Sequence, residues 1–109
     1  MIKIIGIGAG GHSKVVIEIL KLTNKYEIVG LLDPKKELWG KLILRVPVIG
    51  DASRIEELRN SGISHAFIGI GGANNVQNRK RLFKKTLNDG FEVISVIHPQ
   101  AVISGSAEL

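Results

Sequence analysis

The 109-residue sequence predicts an α/β fold, one small domain in which a mostly parallel sheet carries helices on both faces. Three observations predict it. Short isoleucine- and valine-rich runs alternate with longer runs whose apolar residues recur at helical spacing. A turn holding four glycines, GIGAGG, separates the first apolar run from the first helical one. Glycine, proline, aspartate or asparagine punctuates the other junctions, and no flexible linker or low-complexity stretch divides the chain.

Taken in order, Ile2–Ile7 (IKIIGI) suits a strand buried on both faces. Ser13–Leu22 follows as a helix whose Val15, Val16, Ile19 and Leu20 form one apolar side. Glu27–Leu32 is a second strand, ended by Asp33-Pro34. Lys35 to Arg45 reads as irregular, and Val46–Ile49 as a short edge segment, because Pro47 has no N–H to give a ladder. Asp51 is placed to cap a helix running to about Asn60, and Gly62 stands where a helix end wants a left-handed residue. His65–Gly71 is a third strong strand. Asn74 or Asn75 then caps a helix to about Asn88, with Val76, Phe83 and Leu87 on its apolar side and Gly90 as its stop. Glu92–Ile97 is the last strand, halted by His98-Pro99. In the final residues, Ala101 and Ala107 are six apart, as are Ile103 and Leu109, the period of a parallel β-helix or of an ordinary tail.

Composition excludes several classes. There are no cysteines, hence no disulfides and no thiolate metal sites. No apolar stretch is long enough to span a bilayer, and MIKIIGIGAGG lacks the long apolar core of a secretory signal, so a cytoplasmic protein without a membrane partner is expected. The formal charge of +5 fits an anionic ligand. The densest basic run, Asn78 to Lys85, is not interleaved with aromatic residues as a base-stacking surface requires, and nucleic acid is not expected as a partner. No His, Asp and Glu set has metal-ligand spacing.

Gly6, Gly8 and Gly11 satisfy G-x-G-x-x-G in the required context, strand before and helix after. Glycines let the backbone turn sharply and let a phosphate approach, and the new helix offers it unpaired amides and a partial positive charge. Asp33, 22 residues beyond Gly11, ends the second strand, where a carboxylate can meet the ribose or base of a nucleotide. A second wall is expected from Gly69 to Asn74, with Gly71, Gly72 and Asn74 close to a ligand; Arg79 either reaches a phosphate or faces solvent. His12 either contacts a ligand or orients the turn, His65 and His98 read as structural, and Ser13 has no base partner for nucleophilic catalysis.

The run GAGGHSKVV, then GLLD, PVIGD, FIGIG and a terminal IHPQAVIS, resembles the N-terminal domain of the NeuD/PglD-like sugar O- and N-acyltransferases, over essentially the whole chain and in order. The resemblance implies a small Rossmann-like domain (residues 1–98) that binds a sugar or nucleotide sugar. It implies that residues 99–109 are the junction and first hexads of a left-handed β-helix absent from this chain. In that family the β-helix binds acetyl-CoA, supplies the catalytic histidine and forms the homotrimer, so this chain alone is expected to bind substrate, hold no cofactor, catalyse nothing and be free to remain a monomer. Gly8, Gly10, Gly11, His12 and Ser13 would form the phosphate loop, with Asp33 near the nucleoside and Gly71 with its neighbours opposite. The transfer has limits. Family members often carry two acidic residues where this sequence has Asp33-Pro34, and Arg79 sits beyond a loop longer than the common pattern. A stand-alone module sensing NAD or another nucleotide is the alternative; it fits the glycine fingerprint but not GGH or the terminal HPQAVIS.

Overall fold

The computed structural model describes residues 1–69, 76–98 and 101–103. In chain order these form β1 (Ile2–Ile7), α1 (Gly11–Thr23), β2 (Tyr26–Leu32), β3 (Leu42–Ile43), β4 (Val46–Gly50), α2 (Ile55–Asn60), β5 (His65–Ile68), α3 (Val76–Asn88), β6 (Glu92–His98) and β7 (Ala101–Ile103). Among the described residues the strands make one sheet of order β3-β4-β2-β1-β5-β6-β7. β1 pairs in parallel with both β2 and β5, β2 with β4, and β5 with β6. The α/β class with a mostly parallel, Rossmann-like sheet is thus as the sequence predicts.

Strand periodicity sorts the core into two layers. Along β1, Ile4 packs with Val16, Ile17 and Leu20 of α1 and with Leu31, Val48 and Phe67 on one face of the sheet. Ile5 packs with Leu32, Leu58 of α2, Ala66 and Phe91 on the other. Each such residue, fully buried, contributes about 1.5–3 kcal/mol of transfer free energy. Chain order reverses at β1: one crossover leads to β2 and a later one arrives at β5, so α1 is separated from α2 by the sheet. A crevice opens at such a reversal, beyond the carboxyl ends of the strands.

Three local expectations are corrected. Val15 is half exposed and lies off the buried side of α1, where Ile17 takes its place. The side of α1 that packs on the sheet sets this phase, and the helix begins at Gly11, two residues earlier than Ser13. The segment from Lys35 to Arg45 is not wholly irregular. It holds a 3-10 turn over Lys36–Leu38 and then β3, which pairs antiparallel with β4 through Leu42–Pro47 and Ile43–Val46. β4 is therefore not the edge; β3 is. Pro47 is tolerated because it precedes the parallel ladder to β2, which begins at Val48. The turn joining β3 to β4 puts Leu44 and Arg45 at φ 50 and 72, the paired positive φ values of a two-residue hairpin turn, and the Lys21 ammonium donates to the Leu44 carbonyl at 2.8 Å.

Helix ends follow the expected chemistry. The Asp51 carboxylate accepts from the Ser53 amide, but what it caps first is a 3-10 turn, Ala52–Arg54, that leads into α2. Gly62 and Gly90 have φ of 101 and 95, the left-handed residues that follow α2 and α3. Asn24 plays that part after α1, with φ 55. Asn74 and Asn75, the expected caps of α3, lie outside the described residues, as do 99–100 and 104–109. Of the segment read as the first β-helix hexads, only 101–103 are described, as a strand added antiparallel to β6.

Candidate functional site

The glycine turn leaves the carboxyl end of β1 and is held from two sides. The Gly8 amide donates to the Leu32 carbonyl at 2.7 Å, and the Ala9 amide donates to Asp33 Oδ2 at 3.0 Å, so the end of β2 fixes the turn. Gly8 has φ 105, a conformation that a side chain would strain. Gly10 is different. It is exposed, its φ and ψ are −81 and −169, and a Cβ built there meets nothing within 4 Å. Neither backbone conformation nor packing demands glycine at position 10.

Gly10 is the N-cap of α1 and supplies no side-chain cap. Among the described residues, no acceptor takes the amides of Gly10 or His12. Unpaired N–H groups at a helix start make an anion cradle. No acidic side chain occupies the first turn of α1 to neutralise it.

The candidates separate on inspection. His12 is exposed beside the cradle. Ser13 is fully buried; its amide and hydroxyl both donate to the Gly10 carbonyl, and its Cβ lies 2.9 Å from where a side chain at Gly69 would begin. Ser13 therefore braces the turn from inside and has no free face for a ligand. Asp33 also braces: Oδ1 accepts from the Lys35 amide at 2.9 Å, and its carbonyl accepts from the Trp39 indole N–H at 2.7 Å. Gly71, Gly72 and Asn74 lie outside the described residues.

Beside the turn is a cleft of about 360 Å³. Its floor is apolar, built from Ile7, Leu32, Ile55 and Leu82. Asp33 and Pro34 stand on one side, Asp51 and Ser53 on the loop after β4, and Asn78, Arg81 and Lys85 on α3. This is within the size range of small-molecule sites, which pair apolar walls with few polar groups. Arg79 does not line the cleft; Arg81 does. Positions 78, 81, 82 and 85 share one side of a helix by their three- and four-residue spacing, whereas 79 is turned from it. That spacing inside the run Asn78 to Lys85 was the available signal for Arg81 and Lys85. Asp51 and Ser53 carried none beyond helix capping.

Local electrostatics order the rim. Asp51 Oδ1 accepts from the Ser53 amide at 3.0 Å and from its hydroxyl at 2.6 Å, which holds the Asp51 carboxyl below its ordinary pKa. Arg81 donates to the Asn78 side-chain oxygen, and Lys85 pairs with Asp89 at 3.0 Å. Away from the cleft, at the amino ends of the strands, His65 Nε2 meets Glu92 Oε2 at 2.6 Å across β5 and β6. His65 thus lies where the sequence reading puts it, off the ligand edge.

Comparison with known proteins identifies the family and the fold. The PglD N-terminal domain family matches residues 3–86. A perosamine N-acetyltransferase mutant from Caulobacter crescentus, solved with CoA and GDP-perosamine, is 33% identical with a TM-score of 0.76, the match covering 89% of this chain and 43% of that one. The acetyltransferase domain of PglB from Neisseria gonorrhoeae, solved with acetyl coenzyme A, is 30% identical with a TM-score of 0.67, covering 83% of this chain and 40% of that one. This chain spans less than half the length of either acetyltransferase. UDP-D-quinovosamine 4-dehydrogenase from Vibrio fischeri superposes with a TM-score of 0.74 at 12% identity, a likeness of fold alone. No curated protein matches the chain. With the family matched from Lys3 to Thr86, across the glycine turn, Asp33 and most of α3, the chain belongs to the PglD N-terminal domain family found in sugar acetyltransferases.

Proposed function

We propose that this chain is the substrate-binding domain of an acetyl-CoA-dependent sugar O- or N-acetyltransferase and that it holds a nucleotide-linked sugar by its diphosphate. The observation that carries the reading is the start of α1, where the Gly10 and His12 amides have no acceptor among the described residues, on the carboxyl edge of the sheet where chain order reverses. A position that tolerates a side chain yet carries glycine has its reason in what must approach it. Two further facts support the reading: the Caulobacter relative was solved with GDP-perosamine, and both acetyltransferase relatives with CoA or its acetyl ester.

In this reading residues 1–98 are the binding domain, and 99–109 lead into a left-handed β-helix that binds acetyl-CoA, carries the catalytic base and assembles the trimer. His12 and the amides face the phosphates, while Asp33 and Ser13 keep the turn in shape. Calorimetry on this chain with nucleoside diphosphates and nucleotide sugars tests the site. Binding at micromolar to millimolar strength, lost in 1 M salt, is expected for a phosphate held by dipoles and a helix start. No heat and no ligand-observed NMR effect with any of them would remove the proposal.

A further inference from the structure

The cleft has walls of opposite charge, and that asymmetry carries information about the base. On the wall after β4, Asp51 keeps one carboxylate oxygen, Oδ2, without a donor among the described residues, while Ser53 holds the other. On the α3 wall stands Arg81, whose only partner among the described residues is the Asn78 side-chain oxygen on one of its nitrogens. The apolar floor between them suits a flat ring.

Resting on the site reading above, we propose that this cleft receives the base of the nucleotide and selects guanine over uracil, cytosine and adenine. Guanine is the base whose N7 and O6 both accept, a pair that a guanidinium meets with two parallel donors. Its adjacent N1–H and N2–H₂ both donate, which is what an ionised carboxylate takes. The two edges lie on different sides of the ring, as Arg81 and Asp51 lie on different walls. Uracil has a single N–H flanked by two carbonyl oxygens, so either orientation sets an oxygen lone pair against Asp51. Adenine lacks the oxygen that Arg81 would share with N7, and cytosine presents one amino group beside two acceptors.

The test is titration calorimetry of the chain with GDP, UDP, CDP and ADP at fixed salt, repeated on Asp51→Asn and Arg81→Gln. Asparagine caps a helix start as well as aspartate does, so Asp51→Asn removes the charge and keeps the turn. Arg81 is exposed, and its replacement leaves the core untouched. GDP is expected to bind about ten-fold or more tightly than UDP, a preference that each variant reduces several-fold while still unfolding cooperatively. UDP binding as well as GDP would overturn the guanine inference and leave the diphosphate site standing. A GDP preference indifferent to both substitutions would place the base outside this cleft and overturn it too. If no nucleotide binds, both readings fall.

Discussion

Replacing Gly10 with threonine separates ligand binding from folding. At φ −81 and ψ −169 the residue is in extended backbone that threonine favours, and its Cβ enters open space. Substituting glycine where the native conformation suits the new residue stabilises by about 0.4–1 kcal/mol, because the unfolded chain has less freedom to lose. For a domain of this size that raises the melting temperature by roughly 2–6 °C. The threonine hydroxyl is also a helix-capping acceptor, and the His12 amide, two residues on, is the donor it reaches. An amide offered to phosphate is thereby occupied, and the methyl group stands in the anion's path. Losing one hydrogen bond to a charged group costs about 1.5–3 kcal/mol, or about ten- to a hundred-fold in affinity. Differential scanning fluorimetry and calorimetry on the same preparation read both numbers. The reasoning fails if the melting temperature drops, since glycine would then serve the fold, or if nucleotide affinity holds, since nothing would then approach the turn.

Asp33→Ala deprives the Ala9 and Lys35 amides of their acceptor and should destabilise by about 1–3 kcal/mol in urea titration; a smaller effect would mean that water replaces the carboxylate at no cost. Phe67, fully buried against Gly6 and the α1 layer, should cost about 3–5 kcal/mol on truncation to alanine, and a loss under 1 kcal/mol would contradict the packing described. Because hydrogen bonds from Ser53 lower the folded pKa of Asp51, that group adds stability above its unfolded pKa and loses it as pH falls through the lower folded value. The loop after β4 should therefore loosen only below about pH 4. Carboxyl NMR titration of Ser53→Ala should show the Asp51 midpoint moving up toward the ordinary aspartate value; a midpoint that stays put would assign the shift to another cause.

Which features were legible from residues alone follows from the range of the forces that make them. The strands of the parallel core start within a residue of their predicted positions because apolar runs and the glycines, prolines and carboxylates that end them act within a few residues. The glycine turn is local for the same reason: Gly8 needs a positive φ, and Gly10 begins a helix, whatever surrounds them. Val15 and the β3–β4 hairpin were misread because helix phase and strand pairing depend on partners elsewhere.

By itself, then, the sequence determined the α/β class, the alternation of elements and the glycine turn, since periodicity and turn chemistry are properties of short segments. Only the tertiary structure decided that Asp33 closes on the Ala9 amide, that Ser13 is buried, and that Arg81 rather than Arg79 faces the cleft. Those outcomes depend on strand order, which brings the ends of β1, β2 and β4 beside α3 across as many as several dozen residues of chain. A side chain's neighbours across such a distance are chosen by how the layers stack, and no local pattern encodes that choice.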